Sequence, residues 1–276
     1  MRATDFFATH PVFTTAEFAG STGQGPARSP RTVESLLATH VASGRILHVR
    51  RGLYASVPVG QVATTFQPDP YLIASRLAPD ATIAFHAALQ LRGKSYSLWQ
   101  RISVMTRNTM RLVHFQGNDY LRVAHPAPLR ELPDLGGGIV VERHAGGDVR
   151  ATTLERTMVD VLDAPDLGGG WEEVWRSLEL VEYFDLEAVV HHALALRSAL
   201  TCARVGLYLE QHREELFVHD DCLALLAAHA PKQHRYLDGR RVPGRLVKPW
   251  NLIVPEAVLR RAWQEPEHEE PGDALA

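Results

Sequence analysis

The sequence predicts an α+β protein in which a small N-terminal helix-and-hairpin module precedes a larger mixed α/β domain, an antiparallel sheet half followed by a helical half. Three observations carry this. Residues 13–57 read as two helices and a tight β-hairpin. Short, partly alternating runs bounded by Gly, Asn, Asp or Pro fill 82–152, which is how half-buried antiparallel strands read. From Thr152 onward the apolar spacing becomes helical. A chain of 276 residues with 45% hydrophobic content is long enough for two domains with cores of ordinary density.

The second N-terminal helix opens with Ser29-Pro30, a hydroxyl N-cap and a proline at the first helical position, where its missing N–H is harmless. Val33, Leu36, Leu37 and Val41 make its inward stripe, and Arg31, Thr32, Ser35 and Thr39 occupy the other face. Gly44 follows as a left-handed cap. Residues 46–49, Arg50-Arg51-Gly52 and 53–57 then read as strand, turn and strand, with two arginines at the hairpin tip. Helix, helix and hairpin in this order predict a winged helix-turn-helix, a module that usually holds nucleic acid. The glycine-rich stretch 20–26 follows no strand and lacks a Gly-Lys-Ser/Thr ending, so it reads as a connector between the helices.

The module is expected to span 1–58, with a proline-containing linker at 59–69. The second domain, 70–263, starts with a helix at 71–77, a strand at 82–85 and a helix at 87–92. Strands are expected at 102–106, 111–115, 120–124, 138–142 and 149–152. Thr152 and Glu155 fit a capping box, and helices are expected at 154–162, 171–181, 186–196, 201–212 and 222–228. Residues 264–276, rich in Glu and Pro, read as a disordered acidic tail.

The net charge of −3 conceals segregation. Residues 1–58 hold Arg2, Arg28, Arg31, Arg45, Arg50 and Arg51 against three acids. Lys232, Arg235, Arg240, Arg241, Arg245 and Lys248 stand against Asp238 alone, whereas 171–221 carries eleven acids against four arginines. An acidic chain can thus offer basic ends to a polyanion. The second basic span reads as a solvated loop, an extension of a DNA-contacting surface, or a dock for an acidic partner.

Other chemistry finds little support. Cys202 and Cys222 are too few for a disulfide framework and lack zinc spacing, so they read as reduced thiols in helices. His191 and His192 point about 100° apart on a helix, too divergent for one metal ion. Arg156 and Asp160, i and i+4, are expected to pair on a solvent face. Trp171, Val174, Trp175 and Leu178 read as a core stripe, with an exposed protein-binding patch as the alternative. No nucleophile motif appears. The expectation is a non-enzymatic protein without metal or cofactor. With no membrane-spanning run and no signal pattern, it is also expected to be cytoplasmic.

Several blocks together resemble the AbiEi family of antitoxins, from abortive-infection (type IV) toxin–antitoxin pairs. They are His10-Pro11-Val12-Phe13-Thr14, Arg51-Gly52-Leu53-Tyr54, Asp69-Pro70-Tyr71-Leu72-Ile73-Ala74 and Ala84-Phe85-His86-Ala87-Ala88-Leu89. The segments 152–162, 169–178 and 250–255 continue the series, which covers nearly the whole chain in order. The resemblance implies a winged helix that binds and represses the operon's own promoter, and a C-terminal domain that counters a nucleotidyltransferase-fold toxin encoded beside it. Ser29, Arg31, Thr32, Ser35 and Thr39 would then face the major groove. Arg28, Arg45, Arg50 and Arg51 would neutralise phosphates. Two copies are expected to bind a two-fold operator cooperatively. The alternative is a winged-helix transcription factor whose second domain senses a small ligand in an apolar pocket.

Overall fold

A computed structural model describes residues 2–21 and 29–263. Arg28, most of the glycine-rich connector and the acidic tail lie outside the described residues. The N-terminal part runs α1 (Ala3–Thr9), β1 (Val12–Thr14), α2 (Thr15–Gly20), α3 (Pro30–Ala42), β2 (Ile46–Arg50) and β3 (Leu53–Ser56). Its three-stranded sheet is antiparallel, with β3 between β1 and β2. The sequence reading missed α1 and β1 and placed Phe13 in a helix; one helix of seven residues and one strand of three are too short to show a period. Phe6, Phe7, Phe13 and Phe18 close on one another edge-to-face and stacked, and with Val33, Leu37 and Ile46 they form the module's core. Thr14 and Glu17 make a capping box at the start of α2.

The rest of the chain runs α4 (Pro70–Ser75), β4 (Thr82–Ile83), α5 (His86–Leu91), β5 (Arg101–Met105), β6 (Val113–Phe115), β7 (Asn118–Val123), α6 (Ala127–Arg130), β8 (Ile139–His144) and β9 (Gly147–Thr152). Helices α7 (Leu154–Asp163), α8 (Pro165–Gly168), α9 (Trp171–Glu179), α10 (Leu186–Ala195), α11 (Ala199–Gln211) and α12 (Asp220–Ala228) follow, then β10 (Arg235–Tyr236), β11 (Arg245–Val247), β12 (Leu252–Val254) and α13 (Glu256–Arg260). The α+β class and the predicted succession of helices after Thr152 hold. The six-stranded sheet, ordered β6-β7-β5-β4-β9-β8, is antiparallel at three of its five strand pairings, as expected, and is mixed because β5 runs parallel to β7 and β4 parallel to β9. Alternation reports which face a side chain takes, not the direction of the neighbouring strand.

The expected linker does not separate two independent bodies. Val12, Val49, Leu53 and Ala55 of the first sheet share a core with Tyr71, Leu72 and Ile73 of α4 and with Ile83, Val104 and Ala151 of the second. Glu17 also takes Arg76 at 2.5 Å across the junction. Asp69 caps α4 by accepting from the N–H groups of Tyr71 and Leu72, both at 2.9 Å, and its second oxygen meets His144 Nε2 at 2.8 Å.

Two local expectations are corrected around α7. Its N-cap is Thr153, accepting from Arg156 N–H at 3.3 Å, while Thr152 is buried against the Thr157 hydroxyl at 2.7 Å. The Arg156–Asp160 pair does form, at 3.5 Å, but its side chains are 1% and 3% exposed. With α5, α10 and α11 all packed on α7, this face has no access to solvent. Arg156 Nη1 also donates to the carbonyls of Leu135 at 3.0 Å and Gly137 at 2.7 Å. Burial, opposed by Arg156, pushes the Asp160 carboxyl up to about 6. Burial, reinforced by Arg156, brings His125 and His192 down to about 4. A second polar centre joins buried His86 to Glu173 at 2.9 Å. There burial disfavours the Glu173 charge, yet bonds from His86 and from the hydroxyl and N–H of Ser97 bring its carboxyl down to about 2.

Gly138 sits at φ +66°, where a Cβ would lie 2.7 Å from the His192 ring and 2.9 Å from Arg156 Cβ. Gly138→Ala is expected to lower the unfolding free energy by about 2–4 kcal/mol. Gly60→Ala, at φ +89° with nothing within 4 Å, should lose only about 1 kcal/mol in the same urea titration.

The buried titrating groups also set a pH dependence. As pH falls from 6.5 toward 4, the unfolded chain protonates His125 and His192 but the folded chain resists, so stability is lost. Asp160 acts in the opposite sense between about 6 and 3.8, since its folded form takes a proton first. With two histidines against one carboxyl, the urea midpoint should fall between pH 6.5 and 4.5. A His125→Asn/His192→Asn variant should flatten or invert that slope.

Candidate nucleic-acid interface

Helix α3 follows its sequence reading closely. The Ser29 hydroxyl caps it, accepting from Thr32 N–H at 3.2 Å, and shares a 2.9 Å hydrogen bond with the Thr32 hydroxyl. Val33 and Leu37 are buried, Leu36 and Val41 pack partly against the same core, and Gly44 takes φ +67°. Arg31, Thr32, Ser35 and Thr39 are exposed along the opposite face, and so is Glu34. The Thr39 hydroxyl donates back to the Ser35 carbonyl at 3.0 Å. Ser29, Thr32 and Thr39 therefore spend hydroxyl contacts locally. His40, on the last turn, is lowered by burial and by Arg45, which favours the neutral ring.

The hairpin departs from expectation at one arginine. Arg45 and Arg51 are exposed, but Arg50 turns inward and its Nη2 donates to the Leu77 carbonyl beyond α4. A register shift between His48 and Arg50 breaks the strand alternation and re-aims that side chain. Arg50 is thus an anchor between the module and the segment that follows α4, not a free cation at the tip. Gly52, at φ +79°, closes the turn, and its carbonyl accepts from Thr15 N–H at 3.0 Å, which ties the tip to the start of α2.

Lys232, Arg235, Arg240, Arg241, Arg245 and Lys248 are all exposed, as a basic surface requires. Their setting is not simply a solvated loop. β12 pairs parallel with β10 and antiparallel with β11, so Arg235 and Arg245 are fixed on the two outer strands of a small sheet. Strands of two and three residues leave no periodic trace in sequence. Arg240 lies 3.5 Å from Asp166, with both side chains largely exposed. An open cleft of about 590 Å³ lies between Ala199 and Leu200 on one side and Pro231, Lys232, Gln233 and Arg235 on the other.

Trp175, Val174 and Leu178 are fully buried, and the Trp175 indole donates to Gln211 at 2.9 Å, so the core reading holds for these three, while Trp171 is partly buried against the same core. Cys202 and Cys222 are free thiols in α11 and α12. Among the described residues, no group of three or more His, Cys, Asp or Glu is placed to hold a metal ion. No helix among them is long and apolar enough to cross a membrane.

No protein-family model and no curated protein sequence matches the chain. Among solved structures it is similar to one described as the crystal structure of RV2827C protein from Mycobacterium tuberculosis, with 20% identity and a TM-score of 0.60. The match covers 93% of this chain and 90% of that one, so the likeness is one of fold, spanning the N-terminal module and the α+β body together.

Proposed function

We propose that this protein is a DNA-binding autorepressor and antitoxin, with α3 as the helix that enters the major groove. The observation that carries the reading is the division of α3. A buried Val33–Leu37 side fixes it to an aromatic core, and the opposite side presents Arg31 and Ser35 to solvent, to which Arg45 and Arg51 are exposed as well. Arginine suits guanine O6 and N7 in the major groove. Arg45 and Arg51 would neutralise phosphates and set register. Arg50 serves by holding the hairpin to the segment that follows α4.

The resemblance to AbiEi antitoxins supplies the purpose: repression of the protein's own promoter in the cytoplasm, and countering of a nucleotidyltransferase-fold toxin encoded alongside. Two copies would occupy a two-fold operator. The basic sheet around Arg235 and Arg245 would lengthen the phosphate footprint.

Binding to the upstream promoter, followed by fluorescence anisotropy, tests the DNA reading. Arg31→Ala should weaken promoter binding by about 1–3 kcal/mol and relax discrimination at one position. Arg51→Ala should weaken all sequences alike and lower the salt slope by about one. Unchanged affinity in both variants would sink the assignment. For the antitoxin half, co-expression with the adjacent toxin gene should restore growth, and continued growth arrest would remove that half while leaving the repressor reading intact.

A further inference from the structure

Resting on that reading of α3, we infer that Glu34 is a base-reading residue, and that Arg31 and Glu34 together select a guanine next to a cytosine in the DNA site. On a helix, positions i, i+3, i+4 and i+7 share one face. Arg31, Glu34, Ser35 and Ala38 stand at that spacing and are all exposed, with Val33 and Leu37 buried behind them. The hydroxyls of Ser29, Thr32 and Thr39 are engaged in local hydrogen bonds. Arg31, Glu34 and Ser35 make no side-chain hydrogen bond or ion pair among the described residues. Arg31 in particular does not bridge to Glu34, so both head groups remain available to a ligand.

A carboxylate in the middle of a surface that meets a polyanion is repelled unless it finds a donor. The major groove offers one to glutamate in the cytosine N4 amino group, and offers guanine O6 and N7 to arginine. The Cβ atoms of residues three apart on a helix are about 5–6 Å from each other. Base pairs stack about 3.4 Å apart along each strand, so head groups carried on such Cβ atoms span one to two base steps, a reach that includes neighbouring pairs. Ala38, with only a methyl group, adds no bulk to hold the helix away from the base edges. Glu34 would therefore work twice, accepting from one cytosine and opposing placement of α3 against phosphates at sites that lack it.

The test compares wild type, Glu34→Ala and Glu34→Gln on the promoter duplex and on a mixed-sequence duplex of equal length, at one fixed salt concentration. Glu34→Ala should bind the mixed duplex several-fold tighter and the promoter more weakly, cutting the ratio between them at least about tenfold. Replacing the contacted C·G pair by T·A should weaken wild type about tenfold and leave Glu34→Ala unaffected. Glutamine pairs with adenine N6 and N7, so Glu34→Gln should shift the preferred base at that position from cytosine to adenine. An unchanged ratio in a setting where wild type discriminates would overturn the inference and leave the DNA reading standing. A wild-type protein that holds both duplexes equally would overturn the DNA reading and the inference with it.

Discussion

The guanidinium of Arg156, 1% exposed at the centre of the larger body, is the charge around which that body is arranged. A buried charge of this kind needs acceptors, and two segments supply them. The carbonyls of Leu135 and Gly137 come from a loop that passes through left-handed backbone at Asp134, Leu135, Gly136, Gly137 and Gly138, and the carboxylate comes from Asp160 one turn along α7. The glycines permit that path without a Cβ penalty. At Gly138 the path also clears the His192 ring. Loss of either partner of such a buried pair leaves an uncompensated charge, an effect of about 3–5 kcal/mol. The loop before β8 and the turn of α7 that carries Asp160 are thereby held to one side chain.

A second constraint links this body to the module that carries α3. The first sheet buries Val12, Val49, Leu53 and Ala55 in a core it shares with Tyr71, Leu72 and Ile73 of α4, and Arg50 and Glu17 add polar ties across the same junction. The hairpin is accordingly held at its tip as well as along its strands. On the proposed DNA-binding reading, a fixed hairpin and a fixed helix mean that the angle between them does not have to be ordered on binding, which spares conformational entropy. The same bond explains why Arg50 and Arg51, neighbours in sequence, take different tasks, one inside the junction and one in solvent.

The parts legible in the sequence are those set by local physics. The N-cap at Ser29, the proline after it, the apolar stripe of α3 and the left-handed Gly44 depend on residues within a few positions of each other, and all are found as read. The helices α7, α9, α10, α11 and α12 are equally plain, because an amphipathic period over about ten residues outweighs propensity, whereas the four residues of α8 are too few to show one. Exposure of the basic residues near the C-terminus was also legible, although their placement on the outer strands of a sheet was not. On α3, Glu34 was counted only as a charge against the arginines; its place beside Arg31 on the exposed face was implicit in the helical spacing.

The sequence by itself determined the α+β class, the polar face of α3 and the order of helix, helix and hairpin. The tertiary structure decided what contacts between distant segments decide. It set the mixed direction of the central sheet, the inward turn of Arg50 toward Leu77, and the burial of the Arg156–Asp160 pair. Each of these depends on which element packs against which, and residues 27 positions apart, as Arg50 and Leu77 are, leave no periodic mark on one another in sequence. A side chain's fate as a surface charge or a buried one is fixed only when the layer above it is in place.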